Sequence, residues 1–333
     1  MSKIFVTGAA GCVGSSLVKK LAQQGHQIHI LIKPNTWHPY LDGLKLKVFY
    51  GDIRRKSDVL KAMKGCEYAY QVAGVVSYNR LDFHDMYTTH VHGVRKVLEA
   101  AMELGLKKVV VTGSTAGIGI PKDPRRPLRE EDAFDFRKYK KVMYMYSKWK
   151  TRMLVRYFAR KGLNVCSISP TTIYGQGDIS MHIGKVVKKI KEGKLKKAPP
   201  GGNAVVSVDD TIDAHLLAMA KGKSGEDYII ANEFIPYIRM FNRIAKLLGV
   251  PGITKKYPKI ILEPMKVVLT VLERVMFVFG KKPILSAHSM NFSFKFRYFD
   301  SAKIRRELGW QPKVDFDLAM AKAIEFYNDQ DLL

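Results

Sequence analysis

Six short β-prone runs, separated by segments of helical periodicity, constrain this chain more than any other feature. They are KIFVTG (3–8), QIHILI (27–32), LKVFYGD (46–52), EYAYQVAG (67–74), KKVVVTGS (107–114) and LNVCSIS (163–169). They show little two-residue alternation, as strands do when helices cover both faces of a parallel sheet. Helices are predicted between them over 11–25, 57–64, 83–104 and 136–162. The first puts Val13, Leu17, Val18 and Leu21 on one face and stops at Gly25. The alternation predicts an α/β fold with a doubly wound parallel sheet.

After Pro170 the character changes. Gly and Pro cluster at 175–177 and 199–202, and helical patterns dominate from 237 to the end. We therefore expect residues 1–170, with a return near 203–232, to form the sheet domain. Residues 171–202 and 233–333 are expected to form a smaller, mostly helical substrate lobe over the C-terminal strand ends, where α/β proteins build their clefts. With 333 residues, 47% of them hydrophobic, the chain can bury a large core.

TGAAGCVG follows the first strand and opens the first helix, with glycines at 8, 11 and 14. In that context Gly8 permits a sharp turn, Gly11 lets backbone N–H groups approach a pyrophosphate, and Gly14 lets the helix pack closely on the sheet. The loop therefore points to a dinucleotide. The second strand is followed by Lys33, where an acidic residue would accept the ribose 2′-hydroxyl of NAD. A cation suits a 2′-phosphate, so NADP is expected as cofactor, with NAD as the alternative.

Tyr144 and Lys148 are i and i+4 on one predicted helix, so both leave the same face. Tyrosine ionises near 10, and a neighbouring ammonium can stabilise its phenolate for acid/base work. Tyr146 has Lys150 at the same spacing and is read as a decoy. Cys12, Cys66 and Cys166 show neither CxxC spacing nor a nearby His pair, so no disulfide framework or metal site is expected. A reducing cytoplasm fits, and a strand starting at Lys3 leaves no room for a signal peptide.

With YxxxK and the glycine loop in place, the chain resembles an extended short-chain dehydrogenase/reductase of the NAD-dependent epimerase/dehydratase superfamily. The likeness runs nearly the whole length through GDI (51–53), QVAG (71–74), GSTAG (113–117), YMYSK (144–148), SPTTIYGQGD (169–178), VSVDD (206–210) and ELGWQP (307–312). It most resembles the dihydroflavonol reductase and 3β-hydroxysteroid dehydrogenase branch. The resemblance implies a Rossmann-type fold in which Ser114 joins Tyr144 and Lys148 as the catalytic set. It also implies cofactor contacts from the loop residues Ala10, Cys12 and Val13, from Asp52 (to the adenine amine) and Ile53, from Ala73 and Gly74, and from Pro170. Several positions depart from the family. Thr115 and Ala116 follow Ser114 where dehydratases carry an acid, and Ser169 and Thr172 replace the Arg and Asn of epimerases. His90 replaces an Asn, and Gln71 a common His.

These departures favour an NAD(P)-dependent dehydrogenase/reductase acting on the CH–OH group of a hydrophobic or polycyclic alcohol or ketone. A sugar-nucleotide epimerase is the alternative, and a non-enzymatic redox-sensing binder a third reading. Lys and Arg total 56 against 30 acids, a formal charge of +26, but no nucleic-acid motif accompanies it. KVVKKIKEGKLKK (185–197) carries seven lysines and reads as a solvated helix face. The segment 260–282 is apolar but broken by five charged or proline positions, so it is expected as a lid helix or, alternatively, an interfacial membrane helix. Its expected inward stripe is Met265, Val268, Leu269, Leu272, Met276 and Phe279. A small-molecule substrate is the expected partner; peripheral membrane contact and a homodimer are left open.

Overall fold

A computed structural model describes residues 1–333 apart from Trp37, Pro124 and Ile284. The strands are β1 (Lys3–Thr7), β2 (Gln27–Ile32), β3 (Leu46–Tyr50), β4 (Tyr68–Gln71), β5 (Lys108–Thr112), β6 (Val165–Pro170), β7 (Thr172–Tyr174), β8 (Lys197–Ala198), β9 (Gly202–Ser207), β10 (Asp227–Ile230), β11 (Glu233–Pro236), β12 (Lys255–Lys256) and β13 (Phe296–Arg297). The helices are α1 (Cys12–Gln23), α2 (Lys56–Met63), α3 (Phe83–Tyr87), α4 (Val94–Glu103), α5 (Phe136–Tyr139), α6 (Met143–Arg160), α7 (Gly184–Lys191), α8 (Val208–Lys221), α9 (Tyr237–Leu247), α10 (Leu262–Val278), α11 (Ala287–Ser293), α12 (Ala302–Leu308) and α13 (Phe316–Asp329).

Seven strands form one sheet in the order β3-β2-β1-β4-β5-β6-β10, and every pairing in it is parallel. Within β1, Ile4 and Val6 join a core with Leu17, Ile30 and Trp310, while Phe5 turns to the other face with Val97, Val109 and Leu154. Both faces are thus dry, which explains the lack of alternation in the sequence. This is a Rossmann-type sheet with a helical C-terminal part. The strand order reverses between β1 and β4, and a crevice opens there at the carboxyl ends of the strands.

Three features differ from the sequence reading. A four-stranded mixed sheet stands outside the main one: β9 pairs antiparallel with β11 and parallel with β13 and β7. Three of its strands have only two to four residues, too few to show a period. The helix expected over 136–162 is interrupted after α5, and the break sends Tyr139 and Val142 into a cluster with Ile120, Met145 and Phe292. The helix expected over 83–104 contains a π-helical stretch, Thr88–Gly93.

A buried ion pair ties the C-terminal edge of the sheet to α6. Arg152 Nε lies 2.7 Å from Asp227 Oδ2, with both side chains at most 4% exposed. Arg152 also donates to the carbonyls of Gly117 and Glu130. The Glu130 carboxylate accepts from the Ile229 N–H at 2.8 Å. Burial pushes the Glu130 carboxyl up to about 7, with the charge of Asp227 adding to the shift. The folded state therefore binds this proton more tightly than the unfolded chain. Its stabilisation is complete below about pH 4.5 and is lost as pH rises through about 7. The wild type should lose about 3 kcal/mol more stability between pH 4 and 8 than Glu130→Gln, which keeps an acceptor for Ile229 but cannot ionise. Chemical denaturation of both proteins across that range checks this; parallel curves would show that Glu130 does not titrate as described.

Candidate active site

The turn after β1 is shaped by backbone approach. Gly8 has φ +71°, and a Cβ there would lie 2.6 Å from the Ala73 nitrogen. A Cβ at Gly14 would lie 2.0 Å from the Gly8 carbonyl oxygen, so α1 crosses the turn with no space for a side chain. Gly11 meets nothing closer than 3.4 Å and stays exposed, leaving its side open to the crevice. α1 has no side-chain cap at Gly11, so the N–H groups of its first turn are available to an anion. Thr7 fastens the opposite wall: its hydroxyl accepts from the Val72 and Ala73 N–H groups and donates to Gln71. Gln71 in turn donates to the Ala73 carbonyl, which gives this departure from the family a bracing role.

At the end of β2, Lys33 is exposed, as is Lys47 on β3. Both oxygens of Asp52 accept from Arg54 Nε at 3.0 and 2.9 Å, and the Arg54 N–H also donates to Asp52. Burial works against the Asp52 charge, but the Arg54 hydrogen bonds and the nearby Lys33 hold its carboxyl below the usual range. Ile53 is buried against Gly93. Burial pushes the Cys12 thiol up to about 12, and its Sγ lies 3.5 Å from the Gln176 carbonyl oxygen.

The loop after β5 and the helix α6 bring three polar side chains to one point. The Tyr144 hydroxyl lies 3.4 Å from Ser114 Oγ. The Lys148 ammonium donates to the Thr112 carbonyl at 3.2 Å. Burial pushes the Tyr144 phenol upward, against the pull of the Ser114 hydrogen bond and of Arg297. Burial also lowers Lys148 to about 8. Tyr146 lies elsewhere, stacked on Tyr87 and Trp149.

His90, aimed inward by the π-helical stretch, is a two-ended brace. Its Nε2 accepts from the Val75 N–H at 3.0 Å, so its Nδ1–H donates to Ser147 Oγ at 2.8 Å, and Ser147 donates to the Tyr144 carbonyl. Burial and the Lys148 charge keep this imidazole neutral. It therefore joins the loop after β4 to the turn of α6 that carries Tyr144.

All of these surfaces enclose one cavity of about 760 Å³. Every residue singled out from the sequence as catalytic or cofactor-contacting lies on its wall, from Gly8 and Lys33 at one end to Ser114, Tyr144, Lys148 and Pro170. Among the described residues there is no cluster of His, Cys, Asp and Glu suited to a metal ion. The sequence reading missed the far wall. Tyr78 meets the Tyr144 ring edge-on at 5.5 Å and the Phe292 ring at 5.3 Å, and Asn203, Phe299 and Arg297 complete it. A lone arginine between aromatic residues in KFRYF (295–299) was the available signal.

The segment 260–282 corrects an expectation. No residue of α10 lines the cavity, and of the expected inward stripe only Leu269 is buried. Val268, Leu272 and Phe279 are exposed, while Met265 and Leu269 pack on Met290 and Phe294 next to α11. The apolar residues of α10 cover well over half of its circumference, so the sequence pattern does not single out the part of that arc that is buried.

Known proteins agree with this architecture. A putative dihydroflavonol 4-reductase of Synechocystis sp. is 27% identical over 98% of this chain and 94% of its own length. A 3-beta-hydroxysteroid dehydrogenase of Mycolicibacterium neoaurum is 24% identical over 99% and 92%. The crystal structure of gox2253 superposes with a TM-score of 0.85 at 27% identity, covering all of both chains. The sequence profile of the NAD dependent epimerase/dehydratase family matches residues 4–231. With its parallel sheet and the glycine turn opening on the crevice, the chain belongs to the NAD dependent epimerase/dehydratase family.

Proposed function

We propose that this protein is an NADP-linked oxidoreductase that moves hydride between the nicotinamide and an alcohol or ketone on an apolar, polycyclic substrate. The observation that carries this reading is the 3.4 Å approach of the Tyr144 and Ser114 hydroxyls on the wall of the cavity into which the glycine turn opens. The crossing at Gly8 and Gly14 and the uncapped start of α1 fit a dinucleotide pyrophosphate. Lys33 fits a 2′-phosphate. When bound, the cofactor supplies or takes up the hydride. For reduction, Ser114 donates a hydrogen bond to the carbonyl oxygen and Tyr144, kept protonated by burial, gives its proton to the forming alkoxide. Lys148 holds the cofactor ribose and supplies the positive charge beside the tyrosine that has lost its proton. Thr172, where epimerases often carry the Asn that holds the nucleotide diphosphate, instead accepts from the Asn203 amide, which weighs against a sugar nucleotide. In this reading residues 1–170 and 203–232 serve the cofactor, and 171–202 and 233–333 the substrate.

The outer face of α10 suggests where an apolar substrate comes from. Val267 is 65% exposed, Val271 54%, Val275 49% and Val278 80%, all on one side of the helix. Soluble monomers rarely expose so continuous an apolar strip. In the chain, Lys255, Lys256 and Lys259 precede this helix and Lys281 and Lys282 follow it. Two copies joined through this face would bring like charges together, whereas an anionic lipid surface offers both an apolar bed and opposite charge. No helix among the described residues is long and apolar enough to cross a membrane. The face would therefore lie on the bilayer surface.

Tyr144→Phe should lower turnover by about a hundredfold or more while leaving cofactor affinity unchanged, because it removes only the transferable proton. Near-native turnover would remove Tyr144 from the mechanism. NADPH should bind more tightly than NADH in fluorescence titrations, and Lys33→Ala should weaken NADPH by about tenfold. A wild-type preference for NADH would overturn the role of Lys33. In flotation, the protein should rise with anionic vesicles at low salt, and Val271→Asp/Val275→Asp should abolish this. Equal recovery with neutral vesicles, or with the double variant, would exclude the α10 face.

A further inference from the structure

The charge of Arg297 meets no carboxylate among the described residues. It lies on β13 opposite Asn203 of β9, and both line the cavity. One guanidinium nitrogen donates to the Tyr237 hydroxyl at 2.9 Å, while Nε is sealed from solvent and has no acceptor. The neighbouring groups are the phenols of Tyr237, Tyr78 and Tyr174, and among the described residues no carboxylate pairs with it. Arg152, more deeply buried, shows the usual arrangement: Asp227 and two carbonyls occupy its nitrogens. A guanidinium stays charged at any relevant pH, and burying it unpaired is costly unless a ligand supplies the counter-charge. Its planar fork matches the oxygens of a carboxylate or phosphate.

The position is also specific. Tyr78 lies beside Arg297 and meets the Tyr144 ring edge-on, so an anion on Arg297 is one aromatic ring away from the reacting hydroxyls. Asn203, hydrogen-bonded to Thr172 on β7, adds a second polar group to this wall, and Phe292 and Phe299 make the rest apolar. We propose that Arg297 is the recognition point for an acidic group on the substrate, so that the protein acts on an apolar alcohol or ketone bearing a carboxylate or phosphate. This rests on the oxidoreductase reading given above.

The test uses the full chain saturated with NADP and follows binding by calorimetry. The probes are cholate, its uncharged methyl ester, UDP and inorganic phosphate. If a carboxylate is the natural group, cholate should bind the wild type about thirtyfold or more tightly than the ester, and Arg297→Met should remove the difference while Arg297→Lys retains part of it. If a phosphate is, UDP or inorganic phosphate should bind the wild type and lose at least as much in Arg297→Met. Equal binding of cholate and its ester by the wild type, with no binding of either phosphate probe, would overturn the proposal even if the variants fail to fold. The two readings fail separately. Neutral ketones turned over as fast as acidic ones would sink the acidic substrate and leave the oxidoreductase. Arg297-dependent anion binding together with full turnover in Tyr144→Phe would sink the catalytic assignment and leave the anion site.

Discussion

The geometry of the site depends on the buried pair between Arg152 and Asp227. Asp227 accepts from the Ser167 and Ser169 hydroxyls through one oxygen, both at 2.7 Å, and from Arg152 through the other. Arg152 then reaches the Gly117 carbonyl in the turn after Ser114. One pair thus connects β6, β10, α6 and the loop that carries the serine. The turn itself presses on the helix: a Cβ at Gly117 would lie 2.8 Å from the Lys148 carbonyl carbon. Tyr144, Lys148 and Arg152 are spaced i, i+4 and i+8, a single stripe of α6 facing the sheet. The last member fixes the first two in place, and breaking such a pair from one side leaves an uncompensated buried charge.

Much of this was legible in the sequence for a simple reason. A parallel sheet covered on both faces needs apolar runs without alternation, and a turn that approaches another backbone excludes side chains. Both leave strong local signatures, which is why the six runs and the three glycines marked the sheet and its crevice. Tyr144 and Lys148 were legible because a helix puts i and i+4 together. The pairing of Arg152 with Asp227 is separated by 75 residues and involves ordinary charged residues, so no local pattern announces it. The far wall was hidden for the same reason. Arg297 reaches the cavity only because β13 pairs with β9 in a register that no two-residue strand can specify by itself.

Burial sets the protonation of the site in two opposed directions. It raises Tyr144 and lowers Lys148 to about 8, so below that pH the wall carries a neutral phenol and a cation. His90 could have confused this arrangement by taking up a second positive charge. Its hydrogen bond from Val75 occupies Nε2 as an acceptor, which fixes the neutral tautomer and makes the ring a strut. The Asn that the family usually has at this position could also accept and donate at once. Histidine keeps that dual capacity, and it lies within the π-helical stretch Thr88–Gly93.

The lobe joins an outer surface to this inner one through α11. Phe292 faces the cavity and meets Tyr78, while Met290 and Phe294 of the same region pack on Leu269 and Met265 of α10. A second link runs through the start of α3: Asp82 pairs with Lys282 at 2.7 Å, and Arg80 lies over the Phe277 ring at 4.9 Å. Tyr78, the ring between Arg297 and Tyr144, sits just before that link in the chain. The exposed apolar face of α10 is therefore braced on both sides by segments that contribute directly to the substrate wall, Phe292 from one and Tyr78 from the other. A displacement of α10 would therefore reach Tyr78, the ring between Arg297 and the reacting hydroxyls, and its neighbour Phe292, because packed side chains transmit displacement instead of absorbing it.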